Sequence, residues 1–433
     1  MTHDTPSPFL VCDLHIHIGA SAGGRVVKVT ASRDLTFENI ARECVSRKGV
    51  QVAGIVDCAS PRVIEDIEAL FAAGEMAELS GGGFRYRDQL TLIPASELEA
   101  YDDDRGPSHH VSYFPGLAEL KAFSRTLSHH VTNLELSSQT CHLPARQLEG
   151  FCHEAGGVLV PAHAFTPHRS VYGSCARRMT EIFPPEAWAR IPAIELGLSA
   201  DSSLADRIAE LADRTFLSNS DAHSLPKIAR EYNLLRMHEA TYAELLLALR
   251  REQGRAVVAN YGLDPRLGKY HRTRCEECDW IATQEPPITL CEHCGSEKVT
   301  MGVLDRIAQI ADTSAPPRGT GDLARQPQPP LHRPPYHYQI PLQFVPKVGS
   351  VRLNRLINRF GSEMAVLHEA SREALVQTVG TEVADLIVRA REGKLVLQSG
   401  GGGRYGRALA NPSDGQMKLP GLRGRTEDEG GGG

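Results

Sequence analysis

The stretch Val11–Cys12–Asp13–Leu14–His15–Ile16–His17 places three metal-competent side chains two residues apart behind an apolar lead-in, Phe9–Leu10–Val11. On a strand the side-chain period is 2, so Asp13, His15 and His17 share a face. A lone His-x-His is more often a hydrogen-bonded or surface pair, so its meaning depends on partners elsewhere. Asp57 closes the apolar run Val52–Val56, and Glu97 follows Leu92–Ser96. His109 and His110 precede Val111–Phe114, and His163 ends Gly157–Ala162. Asp221 and His223 follow Thr215–Ser220. Each stands at or beside the carboxyl end of a short run of strand type, the rim where α/β barrels build their sites. Mixed imidazole and carboxylate donors suit zinc, manganese or iron.

The elements that must carry these residues alternate in type. Between residues 9 and 262, short apolar runs are separated by helical patterns. Helices are expected after a Thr36 cap, over Glu65–Leu79, Leu117–Leu127, Ala145–Ala155, Ser203–Ala212 and Tyr242–Gln253. Such alternation predicts parallel strands with helical crossovers. With candidate ligands on most strands, a closed barrel is expected over an open sheet. The loop Phe165–Arg178 follows His163 directly, so Arg169, Arg177 and Arg178 either face a phosphate or form a solvated surface. Ser80–Gly–Gly–Gly–Phe84 has no preceding strand and no Gly-Lys-Ser/Thr, and reads as a flexible connection.

Cys275-x2-Cys278 and Cys291-x2-Cys294 have the spacing of a four-thiolate zinc site. Four thiolates leave no open position, so this zinc is structural. The other six cysteines are scattered, which fits a reducing compartment rather than a disulfide scaffold. The prolines of residues 311–341 mark a linker. Two glycine turns then precede helical patterns, Gly349 before Val351–Phe360 and Gly380 before Thr381–Arg391. Helix-hairpin-helix modules have this form and hold a DNA phosphate on helix N-termini; a small packing bundle is the plainer reading. Lys347, Arg352, Arg355 and Arg359 add charge there. Gly400–Gly403 with Arg404 and Tyr405 reads as a flexible linker or as a close backbone approach to DNA. Residues beyond about 410 are expected to be disordered.

The net charge of −6 conceals an asymmetry. Residues 318–425 carry 16 Lys and Arg against 8 Asp and Glu, whereas the first 263 carry 25 against 33. An acidic half with metal donors joined to a basic half fits an enzyme of phosphate polymers. No run is long and apolar enough for a membrane span, and the N-terminus lacks the basic and apolar parts of a secretory signal.

Together, Asp-Leu-His-Ile-His, Asp57, Glu97, the His109/His110 strand, Pro-Ala-His163 and Ser-Asp-Ala-His223 resemble the PHP metal-dependent phosphoesterases. The cysteine module, and the end segment from Phe344–Gly349 through Gly400–Gly406, narrow the resemblance to the endonuclease Q family over most of residues 9–410. It implies an α/β fold: a distorted (β/α)7 barrel (9–262), a four-cysteine zinc module (263–310), the Pro-rich linker (311–341), a helical DNA-binding domain (342–410) and a disordered tail (411–433). It implies divalent zinc, manganese or magnesium in the barrel and DNA contacts from Lys347, Gly349, Arg352, Arg355, Arg404 and Tyr405. By the same resemblance His15, His17, Glu97 and Asp221 surround one ion. Glu97, His163 and either His109 or His110 hold a second, the match to the family's strand favouring His110. Asp57 and His223 complete a third ion or support the others. Cys58 stands where many such sites have a histidine. The catalytic set is therefore expected to be His15, His17, Glu97, His163, Asp221 and His223. The implied activity is hydrolysis of DNA 5′ to a deaminated base or an abasic site, the lesion being flipped out of the duplex. DNA is the expected partner, with a sliding clamp or other repair protein as a second, in the cytoplasm at the nucleoid and away from membranes. Two alternatives stand beside it: a small-molecule phosphatase acting on a substrate such as histidinol phosphate, and a non-catalytic DNA-binding protein with a decayed barrel.

Overall fold

The computed structural model describes residues 9–102, 105–312 and 329–410. The first part of the chain supplies strands β1 (Phe9–Ile16), β2 (Val52–Ile55), β3 (Met76–Glu78), β4 (Phe84–Tyr86), β5 (Leu90–Ala100), β6 (Ser108–Tyr113), β7 (Val158–Pro161), β8 (Ala193–Glu195), β9 (Thr215–Leu217), β10 (Tyr232–Arg236) and β11 (Ala256–Gly262). The helices between them are α1 (Phe37–Glu43), α2 (Pro61–Ala72), α3 (Leu117–Leu127), α4 (Ala145–Glu154), α5 (Pro185–Arg190), α6 (Ser202–Ala205) and α7 (Tyr242–Arg250). Thr36 caps α1 as its position predicts, its hydroxyl accepting the Asn39 N–H. The second helix starts earlier than expected, with Pro61 at its first turn, and ends before a β3–β4 hairpin. Gly82 and Gly83 (φ +79° and +87°) make that hairpin's turn, so Ser80–Phe84 is a packed turn, not a flexible connection.

β1, β2 and β5 are parallel neighbours, and β5–β6–β7 continue antiparallel. The Ala164 N–H donates to the Glu195 carbonyl, linking β7 to β8, which pairs in parallel with β9. Beyond β9, Ala222 exchanges hydrogen bonds with His15 and His17, returning the path to β1. The sheet is thus mixed, where the strand–helix alternation predicted parallel pairing throughout. The connection between β5 and β6 is too short for a helical crossover, so those strands must turn back on each other. β10 and β11 extend the sheet from the starting half of β1.

Side-chain alternation divides the interior in two. Leu10, Cys12 and Leu14 of β1 meet Ile93, Ala95, Val111, Tyr113, Val160 and Leu217 inside the ring, joined by Tyr242, Leu245 and Leu249 of α7. Ala53, Ile55 and Leu92 face the opposite way and pack with the helices, and Ile16 joins them because the β1–β2 register shifts between Asp13 and Ile16. Burying each large apolar side chain contributes roughly 1.5–3 kcal/mol.

The second half adds β12 (Arg274–Cys275), β13 (Val299–Thr300), α8 (Val303–Ile310), β14 (Tyr336–Tyr338), α9 (Ser350–Phe360), α10 (Glu363–His368), α11 (Arg372–Val379), α12 (Thr381–Arg391), β15 (Val396–Gln398) and β16 (Arg407–Leu409). The expected linker is partly structured: β14 pairs in parallel with β11, and Arg333 lies over the Phe216 ring and against Asp206. Pro334–Pro335 lead into this edge strand, and the Asn260 N–H donates to the Pro335 carbonyl (3.0 Å). The rest of that linker, 313–328, and the expected disordered tail, 411–433, lie outside the described residues. Helices α9–α12 share a continuous core with the strands and helices of the first part through Leu356, Val366, Leu367, Leu375 and Ile387. Lys48 donates to Glu363 Oε1 and to the Pro226 carbonyl, both 2.7 Å away, at the seam. Among the described residues no helix is long and apolar enough to cross a membrane.

Candidate metal centre

One end of the strand ring gathers donors from separate strands. His15 comes from the end of β1 and His17 from just after it, Glu97 from β5, His109 from β6, His163 from just after β7, and Asp221 and His223 from beyond β9. They form two groups, His15–His17–Asp221 and Glu97–His109–His163, each with its donor atoms within 4.8 Å of one another. Glu97 stands between them. Its Oε1 lies 3.0 Å from His109 Nδ1 and 3.3 Å from His163 Nε2. The same carboxylate approaches His15 Nε2 (3.5 Å) and His17 Nε2 (3.6 Å).

The two histidines at the end of β1 are oriented from behind. His15 Nδ1–H donates to Glu195 Oε2 (2.9 Å), and His17 Nδ1–H to Asp57 Oδ2 (3.0 Å). In its neutral form each ring so held turns a lone pair on Nε2 forward, and the two Nε2 atoms are 3.2 Å apart. Two acceptors so placed suit a shared cation. With metal–nitrogen bonds of about 2.1 Å, paired nitrogens stand about 3.0 Å apart at a right angle and about 3.4 Å apart in a tetrahedron. Asp221 Oδ1 lies 3.3 Å from His17 Nε2 and completes the group. The residues present therefore fit a divalent ion.

Charge agrees with that character. Burial alone would raise the Glu97 carboxyl, but His109, Lys28 and His17 outweigh it and hold the group well below its usual range. Asp221 is held down in the same way against its burial by His17, His223 and His15. Burial, helped by His17, pushes His223 down to about 4, which keeps its imidazole neutral. Its Nδ1 is bound to the Asp221 carbonyl (3.0 Å), and its ring lies beside His17.

Several expected residues have other posts. His110 points away from the donors: its Nε2 pairs with the Ser108 hydroxyl (2.8 Å) and its ring meets the Phe183 ring edge-on. Strand alternation sends His109 inward and His110 outward, so the preference for His110 is corrected to His109. Asp57 spends both oxygens on His17, the Ile18 N–H and the Ser137 hydroxyl, and thus orients a histidine. Asp13 accepts the N–H groups of Ser220 and Ala229, fastening the segment that bears Asp221. Cys58 is buried and donates to the Ile55 carbonyl, with burial pushing its thiol upward, so it is no ligand here. Arg177 and Arg178 bind carbonyls at the end of α8, while Arg169 reaches Glu99 (3.0 Å) at the rim.

Four residues went unseen in the sequence. Glu195 ends the apolar pair Ala193–Ile194, the same signal that marked Asp57, and was missed because that run is so short. Glu99 follows Glu97 by one strand period and approaches His109 Nε2 (3.5 Å). Lys28 and Ser138, both on loops, contact Glu97, with Lys28 Nζ 3.0 Å from its Oε2. No periodicity marks such loop residues.

The second donor set is the four cysteines. Cys275 and Cys294 sulfurs are 3.7 Å apart and those of Cys278 and Cys291 3.6 Å. A tetrahedron with zinc–sulfur bonds of about 2.3 Å has edges of about 3.8 Å, so the set fits zinc. Asp305 of α8 accepts the N–H groups of Thr273 and Ile288 (both 3.0 Å) and steadies the strands around it.

The expected DNA contacts divide by place. Arg352 and Arg355 lie on α9 with Arg359, while Gly349 caps that helix and Lys347 pairs with Glu382 of α12. Arg404 is exposed; Tyr405 is partly buried, its hydroxyl taken by Arg230.

No family model matches the chain. It is 45% identical over 403 residues to the uncharacterized protein YqxK of Bacillus subtilis (strain 168), spanning 92% of this chain and 98% of that one. It is 34% identical over 272 residues to the uncharacterized protein MJ0043 of Methanocaldococcus jannaschii, over 58% of this chain and 32% of that one. Among solved structures, the lesion-specific endonuclease PfuEndoQ of Pyrococcus furiosus superposes with a TM-score of 0.75 at 30% identity, over 93% of this chain and 95% of that one. An endonuclease Q complex with a 27-mer duplex, an abasic lesion at its active site, gives 0.76 at 30% identity, over 98% and 100%. An agreement in both sequence and backbone that runs from the metal donors through the cysteine module to the last helices leaves one assignment: this chain belongs to the endonuclease Q family.

Proposed function

We propose that the protein is a metal-dependent DNA endonuclease that hydrolyses the backbone 5′ to a deaminated base (uracil, hypoxanthine or xanthine) or to an abasic site. The observation that carries this reading is the full-length likeness to endonuclease Q bound to duplex DNA with an abasic lesion at its active site. His15, His17 and Asp221 hold one divalent ion (zinc, manganese or magnesium), Glu97, His109 and His163 a second, and the four cysteines a structural zinc. When bound, such ions neutralise phosphate charge and acidify water to a nucleophile at neutral pH. The chain's own part is positioning. Glu195 and Asp57 fix the tautomers of His15 and His17, and Glu99 steadies His109. Glu97 stands where one carboxylate serves both groups. Lys28 adds a positive charge beside the phosphate-binding end of the ring. Asp221, partly open to solvent, faces the incoming strand. Lys347, Gly349, Arg352, Arg355 and Arg404 hold flanking phosphates, and the enzyme works on nucleoid DNA in the cytoplasm.

The test is cleavage of end-labelled duplexes carrying one uracil, one hypoxanthine or one abasic site, with Mg²⁺ or Mn²⁺ and with EDTA. A single metal-dependent product ending just 5′ of the lesion is expected. Absence of cutting with every metal, together with turnover of histidinol phosphate, would replace the reading with the phosphatase one.

A further inference from the structure

Arg230 touches no donor atom of the metal groups, yet it holds one of their ligands in place. It is 3% exposed, and its guanidinium is spent on three acceptors. Nε–H donates to the Ser220 carbonyl (2.7 Å) and an Nη2–H to the Asp221 carbonyl (3.3 Å). These carbonyls belong to the peptide units on either side of the Asp221 Cα. Asp221 sits at φ +46°, a left-handed conformation that a non-glycine residue keeps only when its surroundings impose it. The third acceptor lies far away in sequence: an Nη1–H donates to the Tyr405 hydroxyl (2.9 Å).

Tyr405 is itself fixed. The glycine run before it packs backbone to backbone on residues 266–269: Gly400 N–H bonds the Arg266 carbonyl (2.7 Å), Gly403 N–H that of Lys269 (3.2 Å) and Gly406 N–H that of Leu267 (3.0 Å). A Cβ on Gly400 would come within 2.5 Å of the Gly406 nitrogen. The Lys269 ammonium lies 4.7 Å from the centre of the Tyr405 ring. Tyr405, Lys269, His163 and Asp221 together line a cavity of about 190 Å³.

We propose that Arg230 is a positioning residue that ties the strained Asp221 backbone to the Tyr405 hydroxyl. The seated 400–406 loop, and not the barrel alone, thereby sets the geometry of the His15–His17–Asp221 group. The inference rests on the metal-dependent reading above. It assigns the Tyr405 hydroxyl to the site's scaffold instead of to DNA.

The test uses the full chain as wild type, Tyr405→Phe and Arg230→Lys. Tyr405→Phe deletes one hydroxyl and keeps the ring, so it decides even if Arg230→Lys folds poorly; Lys keeps the charge but not the fork of donors. Mn²⁺ alone is titrated calorimetrically into each protein, the zinc on the cysteines is measured, and kcat and KM are determined on lesion-bearing duplex. Both variants should bind Mn²⁺ about ten- to a hundredfold more weakly and lose kcat similarly. KM for DNA and cysteine-bound zinc should stay as in wild type. Mn²⁺ affinity of Tyr405→Phe within about twofold of wild type would overturn the inference, as would a loss confined to KM. Wild type that bound no Mn²⁺ would overturn the metal-dependent reading and this inference together; binding by wild type with unchanged variants would overturn this inference alone.

Discussion

At the scale of single residues, the site depends as much on the carboxylates behind its histidines as on the histidines. Glu195 is buried, and His15, His163 and Asn219 outweigh that burial to keep its carboxyl below the usual range. Its Oε2 accepts from His15 Nδ1 and its Oε1 from the His163 N–H. In Glu195→Gln the amide turns a donor toward one of these partners. Turned to His15, it moves the ring proton to Nε2 and removes the lone pair that faces His17. The variant should therefore lose about ten- to a hundredfold in barrel metal affinity or turnover while remaining folded, as read by metal titration beside circular dichroism. The sequence marked the forward-facing donors because they end apolar runs. It did not mark Lys28 or Ser138, because a loop residue's place is set by the fold around it. His109 and His110 show the same limit: adjacent strand residues face opposite ways, and only the register against β5 and β7 says which way is in.

At the scale of elements, helices with strong 3.6-residue patterns were legible. The third and fourth lie almost where their patterns place them. The mixed sheet was not legible, since pairing direction depends on connection lengths and on partners distant in sequence. The expected flexible glycine run and the linker's last residues were misjudged for a shared reason. Composition records what a segment can do alone and not what packs against it.

Two predictions belong to elements. Lys48, on the turn after α1, and Glu363, opening α10, form a buried ion pair. Lys48→Met strands a buried carboxylate and should cost about 3–5 kcal/mol, whereas pairing it with Glu363→Leu should recover most of that loss, as measured by urea unfolding. Glu231, ahead of β10, is wholly buried, and burial raises its carboxyl from 4.5 to about 8. The folded state therefore holds a proton that the unfolded chain releases near pH 4.5. This contribution to stability is complete below that pH and is lost as pH rises toward 8. Glu231→Gln should melt a few degrees above wild type at about pH 8.5 and close to it at about pH 5. Equal melting temperatures at both pH values would contradict the assignment.

At the scale of the whole molecule, an acidic first part of the chain is joined to a basic, helical last part through one continuous core. The parts are therefore better separated by point substitution than by truncation, because cutting the chain before β14 would strip a strand from the main sheet. Arg352, Arg355 and Arg359 all project from α9. Replacing all three with Gln should flatten the slope of log affinity against log salt by up to about 3, at roughly 0.9 for each phosphate left without its arginine. Metal binding and kcat at saturating DNA should hold, and an unchanged slope would remove α9 from the DNA interface. The tie between Arg230 and Tyr405 also has a consequence in time. A chain is made from its N-terminus, and the metal donors, from His15 to His223, emerge long before residue 405. A nascent or prematurely ended chain thus owns every candidate donor but lacks the Tyr405 hydroxyl that Arg230 binds. If the tie sets the site as proposed, full turnover waits for residue 405, and a chain ended before it would cut slowly.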